Sequence, residues 1–240
     1  MLVLAGEFRG ALRTLFFPSH CAHCGVATYD DRDFCDTCIQ VIERVRAPAC
    51  DICSQPYQGE IERFECPNCA DERFSFEFAV CVVRSRGPVR ELLHRLKYGR
   101  EIWIARVLAE LMREGLADPR LAGRDFDALV PVPLHALRLR EREFNQATML
   151  AGHLSKITRI PVANALKRVR FTGTQTRLDR RHRMQNLRNA FAPHKNADVK
   201  DKSLLLVDDV LTTGSTLDAC ASVLLEHGAA SVCALTVARG

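Results

Sequence analysis

The chain has 240 residues, 47% of them hydrophobic, and 34 Lys and Arg against 29 Asp and Glu give a formal net charge of +5. The length predicts two domains, and no segment approaches a membrane span, which excludes an integral membrane protein. The opening MLVLAGEFRG is broken by Glu7 and Arg9 before an apolar core of signal-peptide length accumulates, so a cytoplasmic protein is expected. Ala5 to Phe17, with Leu4, Phe8, Leu12, Leu15 and Phe16, reads as an amphipathic helix that packs against one of the domains.

Cys21, Cys24, Cys35, Cys38, Cys50, Cys53, Cys66 and Cys69 form four successive C-x-x-C pairs. A two-residue gap lets both thiolates of a knuckle reach one ion, and two knuckles complete the tetrahedron that Zn²⁺ prefers, so two structural zinc sites are predicted. Nearest-neighbour pairing puts Cys21, Cys24, Cys35 and Cys38 at one site and the other four at the second, while the spacing leaves an interleaved arrangement open. His20 and His23 read as spectators, because the thiol count is complete without them. Reduced cytoplasmic thiols argue against a disulfide framework, and a thioredoxin-type redox pair would not recur four times. Cys81, Cys220 and Cys233 lie among apolar neighbours and read as small core residues. Residues 1–70 are thus expected to form an amino-terminal helix plus a double zinc ribbon, with metal supplying on the order of 10 kcal/mol per site. Eight thiolates and two Zn²⁺ lower the net charge to about +1, so global basicity says little about partners.

Residues 71–240 read as one α/β domain. Phe76 to Arg84 is a predicted strand, Val89 to Tyr98 and Glu101 to Glu114 are predicted helices, and Ala128 to Val132 is a second buried strand. The stretch DALVPVP from Asp127 to Pro133 ends in prolines that force a stiff turn, and Arg138, Arg140 and Arg142 follow it. Guanidinium groups hold phosphoryl oxygens bidentately; alternating arginines also serve plain solubility. Asn145 to Ile157 is predicted to be the helix crossing back over the sheet. From Lys167 to Arg188 the segment carries Lys167, Arg168, Arg170, Arg177, Arg180, Arg181, Arg183 and Arg188 against the single acid Asp179. Such a cluster suits pyrophosphate or a nucleic-acid backbone, with a solvated helix face as the competing account.

The most restrictive stretch is LLLVDDVLTTGSTLDAC, from Leu204 to Cys220. Its continuous apolar run predicts a strand of a parallel sheet covered on both faces, with Asp208 and Asp209 emerging at the carboxyl end. The hydroxyl-rich TTGST then opens a helix to about His227, so unpaired backbone N–H groups and the helix dipole converge on a phosphate cradle. Ser231 to Ala238 is the last predicted strand. Neither G-x-x-x-x-G-K-[ST] nor G-x-G-x-x-G after a strand occurs, which argues against nucleotide triphosphatases and dinucleotide-binding modules. Paired acids ending a strand also occur in receiver domains, but near the start of that fold, whereas only one helix and one strand remain here.

Carboxylates beside a phosphate cradle suit a sugar phosphate, since ionised Asp is acceptor-only and matches ribose O–H donors. The segment resembles the 5-phosphoribosyl-1-pyrophosphate (PRPP) motif of type I phosphoribosyltransferases. The resemblance implies a parallel sheet flanked by helices, with Asp208 and Asp209 on the ribose hydroxyls and Thr212, Thr213, Gly214, Ser215 and Thr216 around the 5′-phosphate. It makes the turn of Pro131, Val132 and Pro133 the pyrophosphate loop, with Arg138 and Arg142 assisting. Members that salvage 6-oxopurines carry an acid two places before the loop glycine; Thr212 stands there, which argues against hypoxanthine or guanine as acceptor.

Over essentially its whole length the chain is similar to the ComF family of competence-associated proteins. The zinc ribbon is followed by LKYGR at Leu96 to Arg100, VPVP, R-x-R-E-R-x-F-N-Q-A, TQTRLDRRHRMQN from Thr174, and VDDVLTTGST. The family resemblance implies binding of PRPP with Mg²⁺, transfer of the phosphoribosyl group to an unidentified nitrogen acceptor, and service in DNA uptake by natural transformation. Single-stranded DNA and uptake-machinery proteins are the implied partners, with Arg177, Arg180, Arg181 and Arg183 as pyrophosphate or nucleic-acid contacts. A non-catalytic reading uses the same domain as ligand sensor or scaffold. Glu143 departs from the family, which has glycine there, so a side chain is expected to restrict that loop or to repel pyrophosphate. Lys97 and Tyr98 sit in the LKYGR motif with no role visible beyond capping and packing.

Overall fold

A computed structural model describes residues 19–28, 32–59, 65–70, 73–171, 187 and 189–240. In chain order these form strands β1 (Ser19–His20) and β2 (Ala27–Thr28), helix α1 (Asp36–Gln40), strand β3 (Ala79–Arg84), and helices α2 (Gly87–Tyr98) and α3 (Ile104–Gly115). There follow β4 (Ala128–Pro131), α4 (Ala136–Arg142), α5 (Gln146–Thr158), β5 (Leu166–Arg168), β6 (Phe191–Pro193), β7 (Ser203–Leu211), α6 (Ser215–Glu226) and β8 (Ser231–Arg239). The predicted helix at Ala5 to Phe17 and the arginines Arg177, Arg180, Arg181 and Arg183 lie outside the described residues.

The main sheet has the order β3-β8-β7-β4, and all three of its pairings are parallel. Its centre is β7, where Leu204, Leu205, Leu206 and Val207 are fully buried. Successive side chains of a strand point to opposite faces, and these four divide accordingly. Leu205 and Val207 join the core that contains Leu92 and Leu96 of α2, Leu108 and Met112 of α3, and Leu150 and Leu154 of α5. Leu204 and Leu206 join the opposite core with Cys220, Ala221 and Leu224 of α6 and with Phe191. Apolar positions with helical spacing on one side and an uninterrupted apolar strand between two layers give the fold expected of a parallel sheet.

The zinc-ribbon segment covers the β3 edge, which would otherwise present unpaired backbone groups. Val45 N donates to Val82 O at 2.8 Å, Arg84 N to Glu43 O at 2.7 Å, and Ala79 N to Ile52 O at 2.7 Å. The buried Ser54 hydroxyl donates to Ala79 O at 2.8 Å and accepts from Cys81 N at 3.2 Å. At the other edge, Leu129 N donates to Pro161 O and Ala163 N to Leu129 O, at 2.8 and 2.9 Å.

Three features differ from the sequence expectation. Strand β7 continues past the acids, because Val210 and Leu211 keep their register with Ala238 and Arg239, so Asp208 and Asp209 lie inside the strand and not at its end. Strand β4 ends at Pro131, paired with Val207, one residue short of the predicted Ala128 to Val132, so of the three residues assigned to the turn Pro131 is still in the strand. The arginine run folds into the short helix α4, closed by Glu143 in the left-handed conformation at φ 69°.

Helix α3 approaches the sheet through Gly115, where an added Cβ would lie 2.7 Å from Val82 Cγ2 and 2.9 Å from Leu235 Cδ1. Both neighbours are buried. Gly115→Ala is expected to destabilise the protein by about 1–3 kcal/mol through overpacking, read as a lower midpoint in chemical denaturation.

Candidate functional site

The acid pair is the most strained electrostatic feature of the sheet. Asp209 is 8% exposed and Asp208 is part-buried, and the Asp209 backbone N–H donates to Asp208 Oδ1 at 2.9 Å. Burial, and then the adjacent Asp209 carboxylate, push the Asp208 carboxyl up to about 7, against the pull of that N–H, Lys97 and Arg168. On the α2 side, Lys97 Nζ meets Asp209 Oδ2 at 2.9 Å. Asp208 belongs to the environment of Arg168 and Cys220, whose thiol is raised by burial and by the Asp208 charge.

Immediately after β7, Gly214 takes φ 86° and caps α6. A Cβ there would approach Phe74 Cε1 to 2.9 Å, and Phe74 is itself stacked on Phe76 with centroids 4.7 Å apart. Glycine is thus required twice over, by conformation and by space. Thr213 Oγ1 and Ser215 Oγ lie 2.9 Å apart, so two hydroxyls converge where the first N–H groups of α6 have no intrahelical acceptor. Asp218, in the first turn of α6, accepts from Ser75 N at 2.7 Å and ties the Phe74–Phe76 segment to the helix.

Opposite this loop, Val132 N donates to Val207 O at 3.0 Å, and Asn145 Nδ2 donates to Val132 O at 2.9 Å. The same Asn145 side chain caps α5 by accepting from Ala147 N at 3.0 Å, so one amide fixes the proline turn to a helix start. Arg142 donates to Gln146 Oε1 at 3.0 Å, and its guanidinium lies 5.1 Å from the Tyr98 ring centroid. Arg138 pairs with Glu141 at 3.1 Å and lies 5.9 Å from the Phe171 ring. The Glu143 side chain is drawn to Arg100 at 3.0 Å.

The structure thus places Asp208 and Asp209 in the carboxyl-terminal half of β7 and Gly214 and Ser215 in the loop and helix start that follow it, with Val132 hydrogen-bonded alongside at Val207. Sequence reasoning gave no role to Lys97 and Tyr98, although both lie in the LKYGR segment it singled out: Lys97 pairs with the acid pair and Tyr98 supports Arg142. The buried positions Val89, Leu92, Leu93 and Leu96 orient α2, and the sequence periodicity shows them without showing which acid Lys97 meets.

The cysteines gather as nearest-neighbour sets, Cys21, Cys24, Cys35 and Cys38 in one and Cys50, Cys53, Cys66 and Cys69 in the other, each with its sulfurs within 4.8 Å of one another. Zn–S bonds near 2.3 Å require tetrahedron edges of about 3.8 Å. The Sγ separations are 3.7 Å for Cys24 and Cys35, 3.6 Å for Cys53 and Cys66, and 3.9 Å for Cys50 and Cys69. Crowded thiols cannot share charge evenly: a hydrogen bond from Cys50 pulls Cys53 down to about 4, whereas burial pushes Cys69 up to about 12. A divalent cation resolves that conflict by deprotonating every ligand, and both donor sets fit Zn²⁺. His23, read from the sequence as a spectator, contacts the first cysteine set. Its Nδ1 lies 3.2 Å from Cys38 Sγ and its Nε2 2.9 Å from Glu91 of α2, an outer-shell contact to the ligand.

The model of the phosphoribosyl transferase domain matches residues 144–240, and that of the double zinc ribbon domain matches residues 12–70. Competence protein F of Haemophilus influenzae is 34% identical over 230 residues, covering 93% of this chain and 98% of that protein. The chain belongs to the ComF family of competence proteins. DNA utilization protein YhgH of Escherichia coli is 33% identical over 215 residues, covering 88% of this chain and 86% of its own. Competence protein ComFC of Bacillus subtilis is 26% identical over 217 residues, covering 87% of this chain and 85% of that protein. In this chain both cysteine sets and the acid pair accompany the parallel sheet of a phosphoribosyltransferase domain. Among the described residues no helix is long and apolar enough to cross a membrane.

The raised Asp208 carboxyl has a thermodynamic consequence whose sign is fixed. A carboxyl with a folded-state value above its unfolded value favours folding when protonated, so its penalty is absent below about pH 4, grows as the pH rises towards 7 and is complete above. Asp208→Asn removes the ionisable group. It is expected to raise stability at pH 8 by on the order of 1–2 kcal/mol, with the gap over wild type narrowing as the pH falls from 8 to 5 in parallel thermal melts.

Proposed function

We propose that this ComF-family protein binds PRPP carrying Mg²⁺ and transfers its phosphoribosyl group to a nitrogen acceptor in DNA uptake. The observation that carries the reading is the acid pair on β7 running directly into the Gly214 loop at the start of α6. Asp208 and Asp209 accept the ribose hydroxyls. Thr212, Thr213, Gly214, Ser215 and Thr216 surround the 5′-phosphate, using backbone N–H groups, hydroxyls and the helix dipole. The turn of Val132 and Pro133, with Arg138 and Arg142, serves the pyrophosphate. In the reaction the C1–O bond to pyrophosphate breaks, a C1–N bond forms, the acceptor nitrogen loses its proton, and pyrophosphate leaves with its Mg²⁺. Mg²⁺ brought in on the ligand would supply charge neutralisation for the departing pyrophosphate, beside Arg138 and Arg142.

The names of the relatives, competence protein and DNA utilization protein, support DNA uptake as the process. Single-stranded DNA and proteins of the uptake machinery are the partners this reading expects.

Calorimetric titration of Mg·PRPP into zinc-loaded protein tests the site. Saturable binding is expected, falling at least about 100-fold in Asp208→Asn/Asp209→Asn, since each lost charged hydrogen bond is worth about 1.5–3 kcal/mol. Equal binding by the double variant, or none by folded wild type, would sink the reading. Binding without pyrophosphate release across an acceptor screen would favour the ligand-sensing scaffold.

A further inference from the structure

Two carboxylates in sequence on a buried strand cannot both ionise cheaply, because each desolvates and repels the other. Yet the ribose site needs both as acceptors: a protonated Asp turns one acceptor into a donor and presents it to a ribose hydroxyl. The charge balance at this point therefore decides whether the site can take a vicinal diol.

The titratable and charged groups facing the pair come from three neighbouring elements. Helix α2 contributes Lys97, in direct contact with Asp209 at 2.9 Å. Strand β5 contributes Arg168, which acts on Asp208 through space and whose own charged form is disfavoured, first of all by its burial. Helix α6 contributes the neutral Cys220 thiol, whose ionisation the Asp208 charge opposes. The side chains of the Lys97–Asp209 pair are only 22% and 12% exposed, so water screens it weakly.

Lys97 owes its place to one buried face of the helix and to polar contacts made by the residues around it. Leu92 and Leu96 are fully buried in the core shared with β7. Arg95, two residues before it, donates to Ala22 O at 2.8 Å and pairs with Glu101 at 2.6 Å. Glu91, one turn earlier, meets His23 of the first zinc knuckle at 2.9 Å. The ammonium is thus delivered to Asp209 by a helix clamped at several points, with no ligand needed to hold it there.

We propose that Lys97 is a positioning residue for the ribose site: its ammonium holds the Asp209 carboxylate in place and favours the ionised form of the neighbouring Asp208, orienting the pair to accept a vicinal diol. The assignment rests on the PRPP reading for the identity of the diol, but its electrostatic content belongs to the ligand-free protein.

The test therefore has two arms. In ligand-free protein, ¹³C carboxyl shifts of Asp208 and Asp209 are followed against pH in wild type, Lys97→Met, Lys97→Gln and Lys97→Arg, each checked for a wild-type fold by its amide spectrum. The titration midpoint of the pair is expected to rise by about one unit or more in the Met and Gln variants and to stay near wild type in Lys97→Arg. In the second arm, Mg·PRPP is titrated at pH 7 and pH 9, a range in which its 5′-phosphate, with a second pKa of about 6, is already dianionic. Affinity of Lys97→Met and Lys97→Gln should fall about fivefold at pH 7 and return towards wild type at pH 9, as a midpoint moving from about 7 to about 8 requires. An unchanged midpoint in both neutral variants would overturn the assignment. A loss of affinity equal at both pH values and not rescued by Lys97→Arg would overturn it too, by marking a structural role. If the midpoint moves as expected while wild type binds no PRPP, the PRPP reading falls and the hold of Lys97 on the acid pair stands.

Discussion

Two neighbouring carboxylates on a strand with both faces covered set the terms for everything around them. Four fully buried aliphatic residues lead into Asp208 and Asp209, so the acids enter a region where charge is costly and every compensating contact counts. The compensation comes from the Asp209 N–H, from Lys97 and at longer range from Arg168. Each sits on a different element: the strand itself, helix α2 and strand β5. A site of this kind cannot be assembled by a loop alone, because the cation must be held rigidly enough to remain beside an acid it could otherwise exchange for water.

That requirement gives the amino-terminal zinc ribbon a structural meaning beyond its own fold. The segment from Glu43 to Ser54 adds backbone hydrogen bonds to the open edge of β3, and the first knuckle grips α2 through His23 and the Ala22 carbonyl. A small domain with short strands buries too little apolar surface to fold on that account, and the cysteine sets supply the missing energy once metal binds. In return the sheet gains a covered edge, and α2, which carries Lys97 two residues beyond Arg95, gains a second anchor. The first cysteine set and the acid pair are thus joined by one helix of 12 residues.

The sequence made the central layer legible because its signals are local. The unbroken aliphatic run of β7, the glycine and hydroxyls opening α6, and the two-residue cysteine gaps each state their structure within a dozen residues. The spacing leaves nearest-neighbour and interleaved pairing of the cysteines both open, and the folded chain brings together the nearest-neighbour sets. What stayed hidden depends on contacts distant in sequence. The end of β7 is set by register with Ala238 and Arg239, so two acids that look terminal lie inside the strand. Lys97 is 112 residues from Asp209, and nothing in LKYGR announces a partner that far along the chain. Asn145 likewise reads as an ordinary helix cap, while its amide also reaches back to Val132 and fixes the proline turn.

Glu143 shows how a side chain is accommodated where the backbone favours glycine. The backbone there is left-handed at φ 69°, a conformation that favours glycine and costs a side-chain-bearing residue about 1 kcal/mol. The ion pair with Arg100, its side chains 63% and 60% exposed, offsets little of that. Its value is geometric: it turns the carboxylate towards Arg100. Arg142, one residue earlier, is held by Gln146 and by the Tyr98 ring, and Asn145, two residues later, by Val132 and Ala147. Each of these neighbours thus has anchors of its own that do not involve Glu143, whose carboxylate is engaged by Arg100.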